Sequence, residues 1–412
     1  MAHQSDHNEE DVNLEVEEDD DEEEYIEAGE VDEEETFNEG DHAPMGDDDE
    51  EDGTIAGFHG TRPIEGDEEM VEVVDDSVQG FFAHKEPVYS VGVHPTDENI
   101  IVTGGGDDKS YLWRADTGDQ LFELAGHTDS VTAVGFNTTG DYVATGGMDG
   151  KVKVWKVATG ELLATVDGPD EIVWLNWHPK GNILLAGATD STIWMWAMPS
   201  GKFMNVFSGH SGAVTQGLFT PDGKKVVSVS EDGNLIAWDP KTASSTIRLS
   251  GDDARFHQDS INTVAVHNDS VLALTGSADS SARLVNLNTG AIVASFENHT
   301  DSVETVGFSS VLPLAATGSL DGKLNIWDVT TMRLRQTCQH DDAIVKLQWH
   351  NNSPLITTGS ADRTVKLWDG RTGNCEKTWM GHQDVILDFA LSVDGRMVVT
   401  GSDDGTSLVF RM

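Results

Sequence analysis

The stretch S-E-D-G-N-L-I-A-W-D (230–239) sets two acids, Glu231 and Asp232, ahead of a short apolar run that ends at Trp238. Asp232 has counterparts along the chain. G-M-D-G-K-V-K-V-W ends at Trp155, T-D-S-T-I-W-M-W at Trp196, L-D-G-K-L-N-I-W at Trp327 and A-D-R-T-V-K-L-W at Trp368. The Asp six residues before each Trp, with the weaker copies aligned by their flanks, gives Asp107, Asp149, Asp190, Asp232, Asp279, Asp321, Asp362 and Asp404. Successive separations are 42, 41, 42, 47, 42, 41 and 42 residues. A constant period of this length means stacked copies of one supersecondary unit, and it governs every other reading of the chain.

Each unit reads as four short strands. In the second, V-T-A-V-G-F (131–136) alternates, N-T-T-G-D (137–141) turns, Y-V-A-T (142–145) and K-V-K-V-W (151–155) flank the Asp turn, and E-L-L-A-T-V (161–166) follows the turn A-T-G (158–160). No stretch shows sustained helical periodicity. With a G-H upstream of the strands, the period is that of WD repeats, and eight units predict an all-β, eight-bladed WD-repeat β-propeller over residues 66–412.

His210, Ser228 and Asp232 have the residue types of a hydrolase triad. The same set recurs as His84/Thr103/Asp107, His127/Thr145/Asp149, His257/Thr275/Asp279, His299/Thr317/Asp321, His340/Thr358/Asp362 and His382/Thr400/Asp404. A group repeated in almost every blade is structural: buried polar side chains satisfying one another and ending on the Trp of the third strand. No enzyme activity is expected, since no catalytic constellation stands outside the repeat.

The departures are informative. The third unit has Gly168 and Ala186 where His and Ser or Thr belong; the fifth has Val285 in the Trp position; the eighth ends at Phe410, two residues before the last. The last blade therefore needs a fourth strand from elsewhere, because a raw sheet edge is a liability. E-M-V-E-V-V-D-D (69–76) has suitable composition and is predicted to supply it, which would send the preceding tail out on the side opposite the Asp turns.

Residues 1–78 hold 34 acids and a single base, Arg62, for a formal charge of −33 out of −49 for the whole chain. Residues 1–65 are expected to be a disordered acidic tail, too charged and too poor in apolar residues to fold alone. It serves either as a solubilising segment or as an electrostatic arm for a basic partner. The charge argues against direct nucleic-acid binding, which needs Lys and Arg against phosphates. Two cysteines, Cys338 and Cys375, make no disulfide framework, and no apolar run reaches membrane-spanning length. No signal peptide, phosphate-binding loop or metal-ligand spacing is present, so no cofactor, metal or membrane partner is expected, and the chain is expected to act as an intracellular monomer.

What remains is surface. Three positions per unit should crowd the channel mouth on one face: the residue before the structural Asp, and those one before and one after the first apolar residue of the inner strand. None of them is Lys or Arg, and Glu171, Glu231, Glu304 and Asp403 fall among them, with Tyr89, Met148, Leu320, Val385 and Leu387 as apolar company. Asp129, Asp170, Asp259, Asp301, Asp342 and Asp384 follow two residues behind the aligned His positions as an outer ring. Acids steer and hydrogen-bond while apolar side chains prolong contact, so the face suits an Arg/Lys-rich peptide with a few apolar anchors.

L-N-W-H-P-K-G-N-I-L-L-A-G-A-T-D-S-T-I-W-M-W (175–196), S-S-V-L-P-L-A-A-T-G-S-L-D-G (309–322), L-R-Q-T-C-Q-H (334–340) and V-I-L-D-F-A-L-S-V-D-G (385–395) resemble the WD-repeat family of angio-associated migratory cell protein, and its fungal branch in particular. The irregular fifth unit and the acidic tail match as well. The resemblance implies a dedicated ribosome-assembly chaperone. Such a protein captures the basic N-terminal segment of one large-subunit ribosomal protein, the tenth in fungal naming, on the acidic face and delivers it to the pre-60S particle in the cytoplasm. It places client contacts at Glu171, Glu231, Glu304 and Asp403, with Tyr89 and Leu387 as apolar contacts. Two alternatives remain: a general WD-repeat interaction scaffold, and a chaperone for another basic protein such as a histone.

Overall fold

The structure, a computed structural model, describes residues 74–168 and 170–412. The alternating run 131–136 forms the strand Val131–Phe136, which turns back into Tyr142–Gly147, Lys151–Lys156 and Glu161–Asp167 as an antiparallel meander. Its two middle strands are almost wholly buried, being covered on both sides by neighbouring sheets, whereas Glu161–Asp167 exposes residues along the rim. Eight such four-stranded sheets make up the described residues, which contain no helix. We number the blades from the inner strand Val88–Val93 of blade 1.

The core is a series of layers between blades. Ala144, Val152 and Val154 of blade 2 pack against Ile172, Leu184 and Trp196 of blade 3. The small residues of the recurring T-G-S/G segments make this approach possible. A Cβ built on Gly318 would stand 2.8 Å from the Ile344 side chain of the next inner strand.

A ring of polar bonds from the inner strands runs along all eight seams. The Ser90 hydroxyl accepts from Val134 N, Thr132 donates to Ile172 O, Asn176 accepts from Phe219 N, and Gln216 accepts from Val264 N. Asn262 donates to Glu304, Thr305 accepts from Leu347 N, Lys346 pairs with Asp388, and the second Asp388 oxygen accepts from Val91 N at 2.8 Å. Asp388 thus serves two seams and closes the circle where the last blade meets the first.

The closing strand differs from expectation. Gln79–Phe81, not residues 69–76, pairs with Ser407–Arg411 as the outermost strand of blade 8. Residues 74–76 are described and are not strand, while 69–73 and the acidic tail 1–65 lie outside the described residues. The physical reason is register: Phe81 fills the seam, stacking on Trp113 of blade 1 with centroids 5.1 Å apart and planes 7° from parallel. Asp76 N donates to Met380 O at 2.8 Å and Met380 N to the Asp76 carboxylate at 2.9 Å, which ties the stretch before Gln79 to the residue after the outer strand of blade 7.

Candidate functional site

The Asp turn is rigid because its acid is saturated with donors. Asp232 accepts from Ser211 N at 2.9 Å, Asn234 N at 3.0 Å and His210 Nδ1 at 3.2 Å. The Trp238 indole donates to Ser228 Oγ at 2.8 Å, which leaves the Ser228 hydroxyl proton for His210 Nε2, also at 2.8 Å. His210 must then carry its proton on Nδ1 and donate it to Asp232. The same four-membered chain recurs in blades 2, 6 and 7 through Trp155, Trp327 and Trp368.

Burial alone would raise the Asp232 carboxyl, but the His210 hydrogen bond and the Ser211 amide outweigh it and hold the group well below the usual carboxylate range. Burial pushes His127, His257, His299 and His340 down against the opposing pull of their Asp partners, so these rings stay neutral. In blade 3, which lacks His and Ser, Asp190 bonds instead to Thr192 N and Oγ1 at 2.8 and 2.7 Å. Triad-like residues spent on one another in this way are a scaffold for the loops above them.

Those loops lie side by side. In every blade the residue before the structural Asp donates its amide to the carbonyl just before the inner strand: Thr189 to Glu171, Glu231 to Ala213, Leu320 to Ser302 and Asp403 to Val385, at 3.0–3.2 Å, are four of the eight. The residue after the Asp has positive φ in all eight turns, with Gly in four of them and Asp108, Ser191, Ser280 and Arg363 in the rest. At Gly233 this left-handed turn tucks beneath the next blade, where a Cβ would meet Asp259 O at 3.1 Å. The outer acids are themselves set by their loops: Asp129, Asp259, Asp301, Asp342 and Asp384 each accept from the following amide at 2.7–2.8 Å and stay exposed.

The inner positions have a further cause that sequence reading missed. In seven of the eight blades the inner strand bulges one residue after its first apolar residue, at Tyr89, Thr132, Val173, Asn262, Glu304, Val345 and Leu387. A bulge drops one residue from the ladder and re-aims its side chain. Here bulge residues of successive blades gather round the channel: Asn262, Glu304, Val345 and Leu387, with Thr215 of blade 4, line a cavity of about 330 Å³.

The six candidate contacts therefore divide. Glu304 and Leu387, both half-buried, share that cavity, and the Asn262 amide fixes Glu304 at 2.9 Å. Glu231 lines a separate cleft of about 220 Å³ between blades 4 and 5, opposite Asp259. Glu171, Asp403 and Tyr89, the last 36% exposed, stand on the same face but line neither hollow. Lys346 is a base in the wall of the larger cavity that face-position counting overlooked, because its side chain belongs to the seam and is held by Asp388.

The model for the WD domain, G-beta repeat, matches eight segments: 76–114, 118–156, 160–197, 201–239, 254–286, 290–328, 332–369 and 373–410. Human angio-associated migratory cell protein is 39% identical over 364 residues, covering 85% of this chain and 83% of that one. The chain belongs to the WD-repeat family of angio-associated migratory cell protein. An uncharacterized WD repeat-containing protein of Schizosaccharomyces pombe is 38% identical over 347 residues, covering 82% of this chain and 87% of that one.

Among solved structures, the family's fold is shared by Sqt1 of Chaetomium thermophilum bound to the N-terminus of ribosomal protein L10. The TM-score is 0.78 at 28% identity, over 82% of this chain and all of that one. Sqt1 of Saccharomyces cerevisiae gives a TM-score of 0.76 at 25% identity, over 82% of this chain and 99% of that one. These neighbours fit the fungal branch named by the sequence motifs.

Proposed function

We propose that this protein is a dedicated chaperone of the ribosomal protein L10 type. It would bind the basic N-terminal segment of the newly made protein on the face that carries the Asp turns, keep it from RNA and other polyanions, and release it to the pre-60S particle in the cytoplasm. The observation that carries the reading is the mouth of the channel, where bulges and Asp turns present acids and apolar side chains and the base in its wall, Lys346, is held by Asp388.

The chemistry follows from the placements. Glu304, already fixed by Asn262, loses little freedom on accepting a guanidinium or ammonium, and Leu387 and Val345 beside it suit the aliphatic stem of such a side chain. Glu231 with Asp259 offers a second cation site one cleft away. Glu171, Asp403 and the outer Asp ring are exposed, so their part is to draw a basic segment in and speed its arrival. Exposed acids bind reversibly and are screened by salt, which lets a stronger polyanion such as ribosomal RNA take the segment over. That Sqt1 binds the L10 N-terminus on the same fold supports this client over a histone.

The test is a pull-down of the tagged full-length protein from growing cells, with mass spectrometry. Enrichment of the L10-type protein above all other ribosomal proteins is expected. Enrichment of histones instead, or of many unrelated partners at similar levels, would overturn the reading in favour of a histone chaperone or a general scaffold.

A further inference from the structure

The end of the propeller away from the Asp turns carries a feature that binding a basic client does not use. In an antiparallel meander, the turn between the first two strands and the turn between the last two share one end of the blade. On that end, between blades 3 and 4, lies a hollow of about 560 Å³. Ile183, Met195 and Phe219 form its apolar floor, the last two buried; Phe203 and Met204, 50% and 39% exposed, stand at its edge on the outer strand Lys202–Ser208.

The hollow is built rather than incidental. The Asn205 amide donates to Pro240 O across the seam at 2.7 Å, and His178 Nε2 meets Gly223 O at 3.2 Å, tying each wall to the other blade. His178 also packs edge-on to Phe219 with centroids 4.8 Å apart. Large apolar side chains left half in water beside a pre-formed hollow are a mark of an interaction surface.

Charge says what the surface takes. No acid lines the hollow, although acids outnumber bases 74 to 25 in the chain. Lys202 and Lys241 stand at its rim, both exposed, and neither ammonium has a hydrogen-bond or ion-pair partner among the described residues. Two free ammonium groups over an apolar floor complement a carboxylate-bearing chain with a bulky apolar anchor. Nucleic acid is the poorer fit, since the walls offer apolar side chains and two lysines where a phosphate backbone needs a track of cations.

We propose that the groove between blades 3 and 4 is a second docking site, for an acidic peptide segment of a partner protein that inserts an aromatic or aliphatic anchor between Phe203 and Phe219 and pairs its carboxylates with Lys202 and Lys241. The protein then has two faces of opposite preference. A basic client sits at the channel mouth, and an acidic partner holds the far end without competing for it.

The test is fluorescence anisotropy on the full-length protein with the labelled peptide Glu-Asp-Phe-Glu-Asp-Leu-Glu, beside the same peptide with Ala for Phe and Leu, a uridine-rich RNA, and an Arg-rich peptide that reports on the other face. Saturable binding of the first peptide is expected, weakened at least about tenfold by Phe203→Ser or by Lys202→Glu with Lys241→Glu. The Ala peptide should not bind, and Arg-rich peptide binding should be the same in wild type and both variants. Phe203, Lys202 and Lys241 are exposed, so the variants should melt as the wild type does, which separates a lost site from a lost fold. No binding by wild type, equal affinity in the variants, or groove-dependent binding of the RNA in place of the peptide would overturn the proposal.

Discussion

Changing Asp388 to Ala removes the side chain that closes the ring. The substitution orphans the buried Val91 N–H, now bonded at 2.8 Å, and frees the Lys346 ammonium. An unsatisfied buried amide costs about 1–3 kcal/mol. The Lys346 side chain is 38% exposed, so its ion pair adds no more than about 1 kcal/mol after solvent screening. The sum is about 1–4 kcal/mol. At about 2.1 cal/mol/K per residue, a propeller of roughly 340 residues has an unfolding entropy near 0.7 kcal/mol/K, so Tm should fall by about 1–6 °C. Asp388→Asn keeps a carbonyl oxygen for Val91 N and should cost under about 1 kcal/mol. Differential scanning calorimetry of the three proteins distinguishes the terms. If Ala and Asn melt together, the Val91 bond contributes nothing and the ring of seam bonds is not a stabilising device.

Three further outcomes follow from the same structure. Ser228→Ala leaves the Trp238 indole N–H and His210 Nε2 without partners and should cost about 2–4 kcal/mol in denaturant melts, whereas Thr145→Ser, which keeps the hydroxyl, should cost under about 1 kcal/mol. Stability should be flat above neutral pH and fall with acid in two stages, read as Tm against pH. The buried histidines are depressed below 6.5, so the unfolded chain takes up protons first as pH drops through that value. The paired aspartates are depressed below 3.8, so their contribution is present above that value and is lost as pH falls towards their lower folded values; a Tm that rises between pH 7 and 5 would contradict the histidine assignment, and one that stays level below pH 3.8 the aspartate assignment. Finally, iodoacetamide should alkylate exposed Cys375 in the native protein and spare Cys338, which burial pushes up to about 11, until the fold is melted.

The period of the Asp turns made the fold legible, because each turn needs the same acid, the same left-handed residue and the same buried Trp or its substitute. The closing strand was legible in the spacing. Five of the other seven outer strands end one to three residues before a His, as Gln120–Ala125 does before His127, and that spacing applied to His84 lands on Gln79–Phe81, whereas the valines of 69–76 make the stronger compositional signal. The acids of the face could be listed by register alone, and the structure separates them by geometry: Glu304 with Leu387 in one hollow, Glu231 in another, Glu171 and Asp403 on open surface. Sequence could not make that division. A seam bond depends on the neighbouring blade, 42 residues away for Glu304 and Asn262, and leaves no local pattern.

Whether the acidic channel mouth receives a basic segment is tested most directly by titration calorimetry of the full-length protein with a synthetic peptide of the L10 N-terminus, at low and at physiological salt, beside a variant carrying Glu231→Lys, Glu304→Lys and Asp403→Lys. Saturable binding that weakens with salt and is lost in the variant is expected, the variant staying folded at the assay temperature although Glu304→Lys removes one seam bond and lowers its Tm. Equal binding by the two proteins would remove this face from the account and assign the client to another part of the chain.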